Sequence, residues 1–175
     1  MRHPALRQSR LSIAPPLVMQ TLFRSLVLPL PREQVFPFFS DAMNLERITP
    51  PELRFEILTP RPIQMRVGAL IDYQLRLFGV PFRWRTRISE WQPPDFFSDE
   101  QLKGPYATWI HTHRFFDEPG GGTRMEDEVK YKLPLEPFSL VALPLVRRQV
   151  EHIFDHREKV ISRLLLEKSF TTAPH

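Results

Sequence analysis

No cysteine occurs among the 175 residues, which excludes a disulfide framework, a thiolate metal site and a cysteine nucleophile. A chain without thiols suits a reducing compartment, and a cytoplasmic location is the expectation. No apolar run is long enough to cross a bilayer, since stretches such as Phe138 to Val146 are short and broken by proline. The first residues lack the apolar centre of a secretory signal, so a soluble protein without stable membrane insertion is expected. Internal repeats and low-complexity segments are also missing. The length fits one domain, large enough to bury a core without metal or disulfide support.

What is present begins with a small excess of positive charge, formally +4. Part of it lies near the start, where Arg2, Arg7 and Arg10 precede Pro15 and Pro16. Residues 1–16 read as a flexible arm, followed by one domain over 17–168 and a tail over 169–175. The Arg-rich start resembles a transit peptide. No aromatic or glycine-rich recognition pattern accompanies these arginines, so a solvated arm is favoured and no nucleic-acid partner is expected. The oligomeric state is left open.

A first strand is expected from Met19 to Leu28, where large apolar and β-branched residues stop at Pro29 and Pro31. Pro31 suits a helix start, and Val35, Phe36 and Phe39 repeat at helical spacing, with Pro37 kinking or shortening that helix. Asp41 can cap a second helix over Ala42 to Ile48, ended by Pro50 and Pro51. Six strand-like runs follow: Leu53 to Leu58, Ala69 to Phe78, Pro81 to Trp91, Phe96 to Lys103, Ala107 to Phe116 and Thr123 to Leu133. Turn residues at Gly79, Pro93 with Pro94, Gly104 with Pro105, and Pro119 to Gly122 predict antiparallel pairing of neighbours. Beyond Pro137, Val146, Val150, Ile153, Phe154, Val160, Ile161, Leu164 and Leu165 mark the apolar face of a long helix. Asp155 and Lys159 stand at i, i+4 on its other face. The fold class is therefore α+β in the order β-α-α-β6-α, a sheet with little but the last helix to pack against.

Successive strand residues point to opposite faces, and this separates Phe82, Trp84, Thr86 and Ile88 from Arg83, Arg85 and Arg87. The arginines belong to a solvated outer face, with Asp72 and Glu100 nearby. In the last strand Met125, Asp127, Val129 and Tyr131 share the inner row, so Asp127 is a charge on a core-facing row and needs a partner. A hairpin symmetric about Gly120 sets His113 opposite Asp127 and Phe115 opposite Met125. Opposed Cβ atoms lie within about 5.5 Å, close enough for an imidazole to reach a carboxylate. His111 and His113 are accordingly expected inside. The same arithmetic on the preceding hairpin brings Asp99 and Gln101 beside His111 and Trp109.

Several segments together resemble a known family: FFSDAMNLERITPPELRFEI, the GxxIDYxLRLFGVPFRW run, and DEQLKGPYATWIHTHRF followed by TRMEDEVKY. From about Val18 to Leu166 the chain is similar to the START-like or SRPBCC helix-grip superfamily, which includes polyketide cyclases, lipid-transfer domains and plant hormone-binding proteins. The likeness is to a bacterial branch of ligand-binding SRPBCC proteins, sometimes labelled cell-division inhibitors. The resemblance implies a curved antiparallel sheet wrapped around the C-terminal helix, with a cavity between them. It supplies no single reaction.

Three functions fit these residues. The first is binding or carriage of a small apolar or aromatic molecule by a pocket of Tyr73, Trp84, Gln101, Trp109, His111, His113, Phe115, Met125, Asp127 and Tyr131, whose few convergent polar groups orient a ligand. The second is a cofactor-free cyclase or dehydratase in which His113, held by Asp127, moves a proton, with His111 as a further candidate. The third is a protein-interaction module, which needs an exposed apolar patch that the charged outer rows do not offer. The His-x-His pair suits zinc, iron or copper, but a full set needs Asp99 or Asp127 as well, and neither a metal nor a cofactor is assigned. Whether the pocket only binds or also catalyses stays open at this level.

Overall fold

The computed structural model describes residues 19–135 and 137–171. The expected arm over 1–16 lies outside the described residues, as does 172–175 of the expected tail, while the last helix continues through Thr171. Strand β1 (Gln20–Leu28) leads into α1 (Arg32–Ser40) and α2 (Asn44–Ile48). Six strands follow, β2 (Glu56–Ile57), β3 (Leu70–Leu77), β4 (Val80–Gln92), β5 (Phe96–Lys103), β6 (Thr108–Glu118) and β7 (Gly122–Lys132), and α3 (Leu143–Thr171) closes the chain. All seven strands pair antiparallel in the order β1-β7-β6-β5-β4-β3-β2. The curved sheet with its long C-terminal helix is the expected helix-grip fold.

Local chemistry accounts for the joints. The β3–β4 hairpin turns at Phe78 and Gly79, both with positive φ, which suits a two-residue reversal matched to the strand twist. The β6–β7 hairpin turns at Pro119, Gly120 and Gly121, and its register does set His113 opposite Asp127 and Phe115 opposite Met125. Strand β4 carries irregularities against β5, one between Ile88 and Glu90. An extra residue there returns Trp91 to the inner side and bends the strand, which helps the sheet curve.

Two expectations are corrected here. The strand expected over Leu53 to Leu58 shrinks to Glu56–Ile57, because Pro51–Leu53 forms a 3-10 turn and Arg54 takes a left-handed conformation at φ 45°. The second helix starts at Asn44 with Met43 as its N-cap and no side-chain cap; Asp41 instead accepts the Met43 backbone N–H at 2.9 Å in the turn ahead of it.

Helix α3 buries Val150, Phe154, Ile161 and Leu165 against the concave sheet. Each such side chain stabilises the fold by roughly 1.5–3 kcal/mol. Val150 and Phe154 join Trp84, Tyr131 and Leu75 in one cluster, whereas Ile161 and Leu165 join Phe36, Phe97, Phe115 and Met125 in another. On the convex face Arg85 pairs with Asp72 at 2.7 Å and Arg87 with Glu100, as the alternation predicts. Asp155 of α3 takes Arg24 of β1 at 3.0 Å, a cross-element pair that the helical spacing to Lys159 did not foresee. Ahead of α3, Leu135, Phe138 and Val141 are more than four-fifths exposed. These exposed apolar side chains lie outside the charged outer rows of the sheet.

Candidate functional site

Between the sheet and α3 lies a cavity of about 110 Å³. One water needs about 10–15 Å³ measured in the same way, so there is room for a small ring or several waters. Trp84, Trp109, Tyr106, Leu75 and Leu77 form the wall at one end. Phe39, Ala42 and Leu45 of the helical unit and Met65 of the loop before β3 cover it, and Ile153, Phe154 and Arg157 of α3 form the opposite side. Trp84 and Trp109 meet edge to face at 5.3 Å, and Trp84 stacks on Tyr73 at 5.7 Å, so the aromatic wall is held by its own contacts.

The polar groups gather where β5, β6 and β7 lie side by side. Asp99 stands opposite His111 and His113 opposite Asp127. Nε2 of His111 and Oδ1 of Asp127 are hydrogen-bonded at 2.9 Å. Nδ1 of His113 lies 2.7 Å from the same oxygen, a close ionic contact off the N–H axis that leaves the nitrogen without an aligned hydrogen bond. On their other sides the two rings face Oδ2 of Asp99 at 3.8 and 3.6 Å. Phe97 stacks on His113 at 4.2 Å and Phe154 meets His111 edge-on at 5.4 Å, so neither imidazole is free to turn.

Burial shapes the charges at this end of the cavity. It disfavours a charged imidazole at both positions, and for His111, beside a charged His113, the result is a pKa below the ordinary value. At His113 burial is outweighed by the charge and contact of Asp127 together with Asp99, which raise the pKa to about 9. Burial also opposes the Asp127 charge, yet His113 and His111 overcome it and hold the carboxyl well below the usual range. The pair is thus an imidazolium beside a carboxylate, with a neutral His111 at its flank. A second network is neutral: Trp84 Nε1 donates to Thr86 Oγ1 at 3.0 Å, and the Tyr73 hydroxyl lies 3.1 Å from the same oxygen. Burial pushes the Tyr73 phenol far above its ordinary pKa, so it stays neutral.

Of the residues expected to form the pocket, Tyr73, Trp84, Trp109, His111, His113 and Asp127 border the cavity. Four do not. Gln101 turns back to the β5–β6 connection, donating to the Tyr106 carbonyl at 2.6 Å and accepting from its N–H at 3.3 Å. Phe115 and Met125 are closed in the core with Phe36 and Ile161, and Tyr131 packs with Val150 in the other core cluster. Arg157 was not foreseen. Its Nε is buried without a hydrogen-bond partner, its guanidinium carbon sits 5.1 Å from the centre of the Phe154 ring, and burial lowers its pKa against the pull of Asp127. The signal was its spacing: Arg157 follows Ile153 and Phe154 by four and three residues and precedes Ile161 by four, so it interrupts the apolar stripe.

Solved structures share this architecture. The aromatase/cyclase Zhui from a Streptomyces species matches with a TM-score of 0.71 at 14% identity, over 87% of this chain and 96% of its own. A Thermus thermophilus protein, TTHA0849, matches with a TM-score of 0.69 at 18% identity, over 86% and 99%. Norcoclaurine synthase from Thalictrum flavum, a point mutant solved with a transition-state analogue, gives 0.64 at 15% identity, over 87% and 98%. At these identities the likeness concerns the fold. No curated protein sequence matches the chain. The sequence profile of one family does match, over residues 28–156, and the chain belongs to that family: polyketide cyclase / dehydrase and lipid transport.

Proposed function

We propose that the protein binds a small, largely apolar or aromatic molecule in the cavity beneath α3. The observation that carries this reading is the asymmetry of the cavity. Most of its lining is aromatic and aliphatic, and the polar groups Asp99, His111, His113, Asp127 and Arg157 gather on the part of the wall made by β5, β6, β7 and α3. Apolar walls supply affinity through burial, and a few convergent polar groups fix which way round a ligand lies. The apolar body rests on Trp84 and Trp109, while an oxygen-bearing end meets the imidazoles and the Arg157 guanidinium. Family membership supports ligand binding of this general kind.

Native mass spectrometry of freshly purified protein, followed by denaturing extraction, tests the proposal. The expected result is an apolar compound in stoichiometric amount, or, for protein purified empty, saturable uptake of a fluorescent apolar probe that Leu75→Trp abolishes. Probe uptake that is unsaturable, or unchanged in Leu75→Trp, would overturn it.

A second reading is favoured by one contact, His113 Nδ1 at 2.7 Å from Asp127 Oδ1. An imidazolium held between carboxylates beside an apolar cavity has the arrangement needed to give a proton to a bound substrate as a general acid, as in a cyclisation or dehydration. If so, His113→Asn removes turnover while probe binding persists. Parallel loss of both returns the site to simple binding.

A further inference from the structure

The two imidazoles of the cavity are used from both sides. Each gives one nitrogen to Asp127, His111 through Nε2 at 2.9 Å and His113 through Nδ1 at 2.7 Å. The remaining nitrogens, Nδ1 of His111 and Nε2 of His113, face Oδ2 of Asp99 at 3.8 and 3.6 Å. These separations are too long for hydrogen bonds. They are close to what a cation needs, because ligand atoms about 2.0–2.2 Å from a tetrahedral ion stand roughly 3.3–3.6 Å from one another. One ligand atom from each of Asp99, His111 and His113 can be chosen so that all lie within 4.8 Å of one another.

We propose that Asp99, His111 and His113 bind a divalent first-row transition cation, zinc or iron(II) in class, with Asp127 as the outer carboxylate that orients both imidazoles. Two imidazoles and one carboxylate suit such ions better than calcium or magnesium, which prefer all-oxygen shells. Asp127 supplies what ligating histidines regularly carry, a carboxylate on the far ring nitrogen that fixes the tautomer and makes the near nitrogen a better donor. The rings are already held by Phe97 and Phe154; Asp99 stands within a few tenths of an ångström of ligand spacing from each ring, and binding draws the three donors together from a cluster that spans up to 4.8 Å. All three ligands border the cavity, so the remaining coordination position opens toward it, for water or for the oxygen-bearing end of a ligand. This inference stands on side-chain geometry and does not depend on what fills the cavity.

The test uses the full chain, freed of any tag, treated with chelator and titrated with Co2+ in the absence of organic ligand. One Co2+ per chain is expected, with visible absorption of a four- or five-coordinate ion and displacement by Zn2+. Binding is lost in Asp99→Ala and His113→Ala. It weakens by about 10–100-fold in Asp127→Asn, which keeps all three donors. His152→Ala is the control, because His152 pairs with Glu52 at 2.7 Å on the surface and offers an adventitious site; there binding is unchanged. Should the buried variants fail to fold, the wild-type Co2+ form still decides, through two hyperfine-shifted imidazole N–H signals protected from exchange. No stoichiometric uptake, absence of those signals, or loss of binding in His152→Ala would overturn the proposal.

Discussion

Asp127 sits directly across the β6–β7 ladder from His113, with its Oδ1 2.7 Å from Nδ1, and both side chains are buried. Removing the carboxylate leaves the buried imidazole with only the more distant Asp99, at 3.6 Å, as counter-charge. Breaking a buried pair from one side costs about 3–5 kcal/mol, because the surviving charge is uncompensated. Asp127→Ala is therefore expected to lower the unfolding free energy in urea by about that amount, and Asp127→Asn by less, since the amide still accepts a hydrogen bond. A loss below about 1 kcal/mol in the alanine variant would mean that water or another side chain already compensates His113.

How much of this was legible beforehand depends on which question is asked. The β6–β7 register followed from the symmetry of the loop around Gly120, and alternation then placed His111, His113 and Asp127 inside. Alternation says which side of a sheet a residue faces, not what lies above it. Phe115, Met125 and Tyr131 do face inward, yet they are closed over by α1 and α3, and only the packing of those helices separates core from cavity. Gln101 failed for a different reason. A short loop with Gly104 let its amide satisfy the Tyr106 backbone, a local bond that face counting does not see. Arg157 was visible as a charge on an apolar stripe, the same kind of exception that singled out Asp127.

Thr86 holds the aromatic end together. Its hydroxyl accepts from Trp84 Nε1 at 3.0 Å and lies 3.1 Å from the Tyr73 hydroxyl. Thr86→Val keeps the shape and deletes the partner of two buried polar groups, each costly to leave unpaired. A destabilisation of about 1–3 kcal/mol is expected, with a change in tryptophan emission as the Trp84 indole loses its acceptor. An unfolding midpoint equal to that of the wild type would show that the hydroxyl is not the fastening.

The chain has three tyrosines, Tyr73, Tyr106 and Tyr131, and burial raises the pKa of each. In the unfolded chain they ionise near their ordinary value of about 10. Above that pH the unfolded state binds fewer protons than the folded state, so stability falls as pH rises. Spectrophotometric titration of the folded protein is expected to show Tyr73 and Tyr106 silent near pH 10, with their phenolate absorbance appearing together with loss of near-ultraviolet circular dichroism. All three phenols titrating reversibly near pH 10 in folded protein would place Tyr73 and Tyr106 in contact with water.

Arg157 offers the sharpest test of ligand orientation. Its Nε is buried and unpaired beside the cavity while its guanidinium lies over Phe154. Arg157→Met keeps a long stem against that ring but removes the charge. Replacing a buried charge by an apolar side chain of similar length is often neutral or stabilising, so the unfolding midpoint should hold or rise. Binding should respond to ligand chemistry. A charge-assisted hydrogen bond contributes about 1.5–3 kcal/mol, which corresponds to roughly ten- to more than a hundredfold in affinity. Displacement of an apolar fluorescent probe by an aromatic acid should weaken by that factor in the variant, while displacement by the corresponding methyl ester changes little. Equal weakening for acid and ester would assign Arg157 to the packing of α3 and leave the imidazoles as the groups that hold a ligand's polar end.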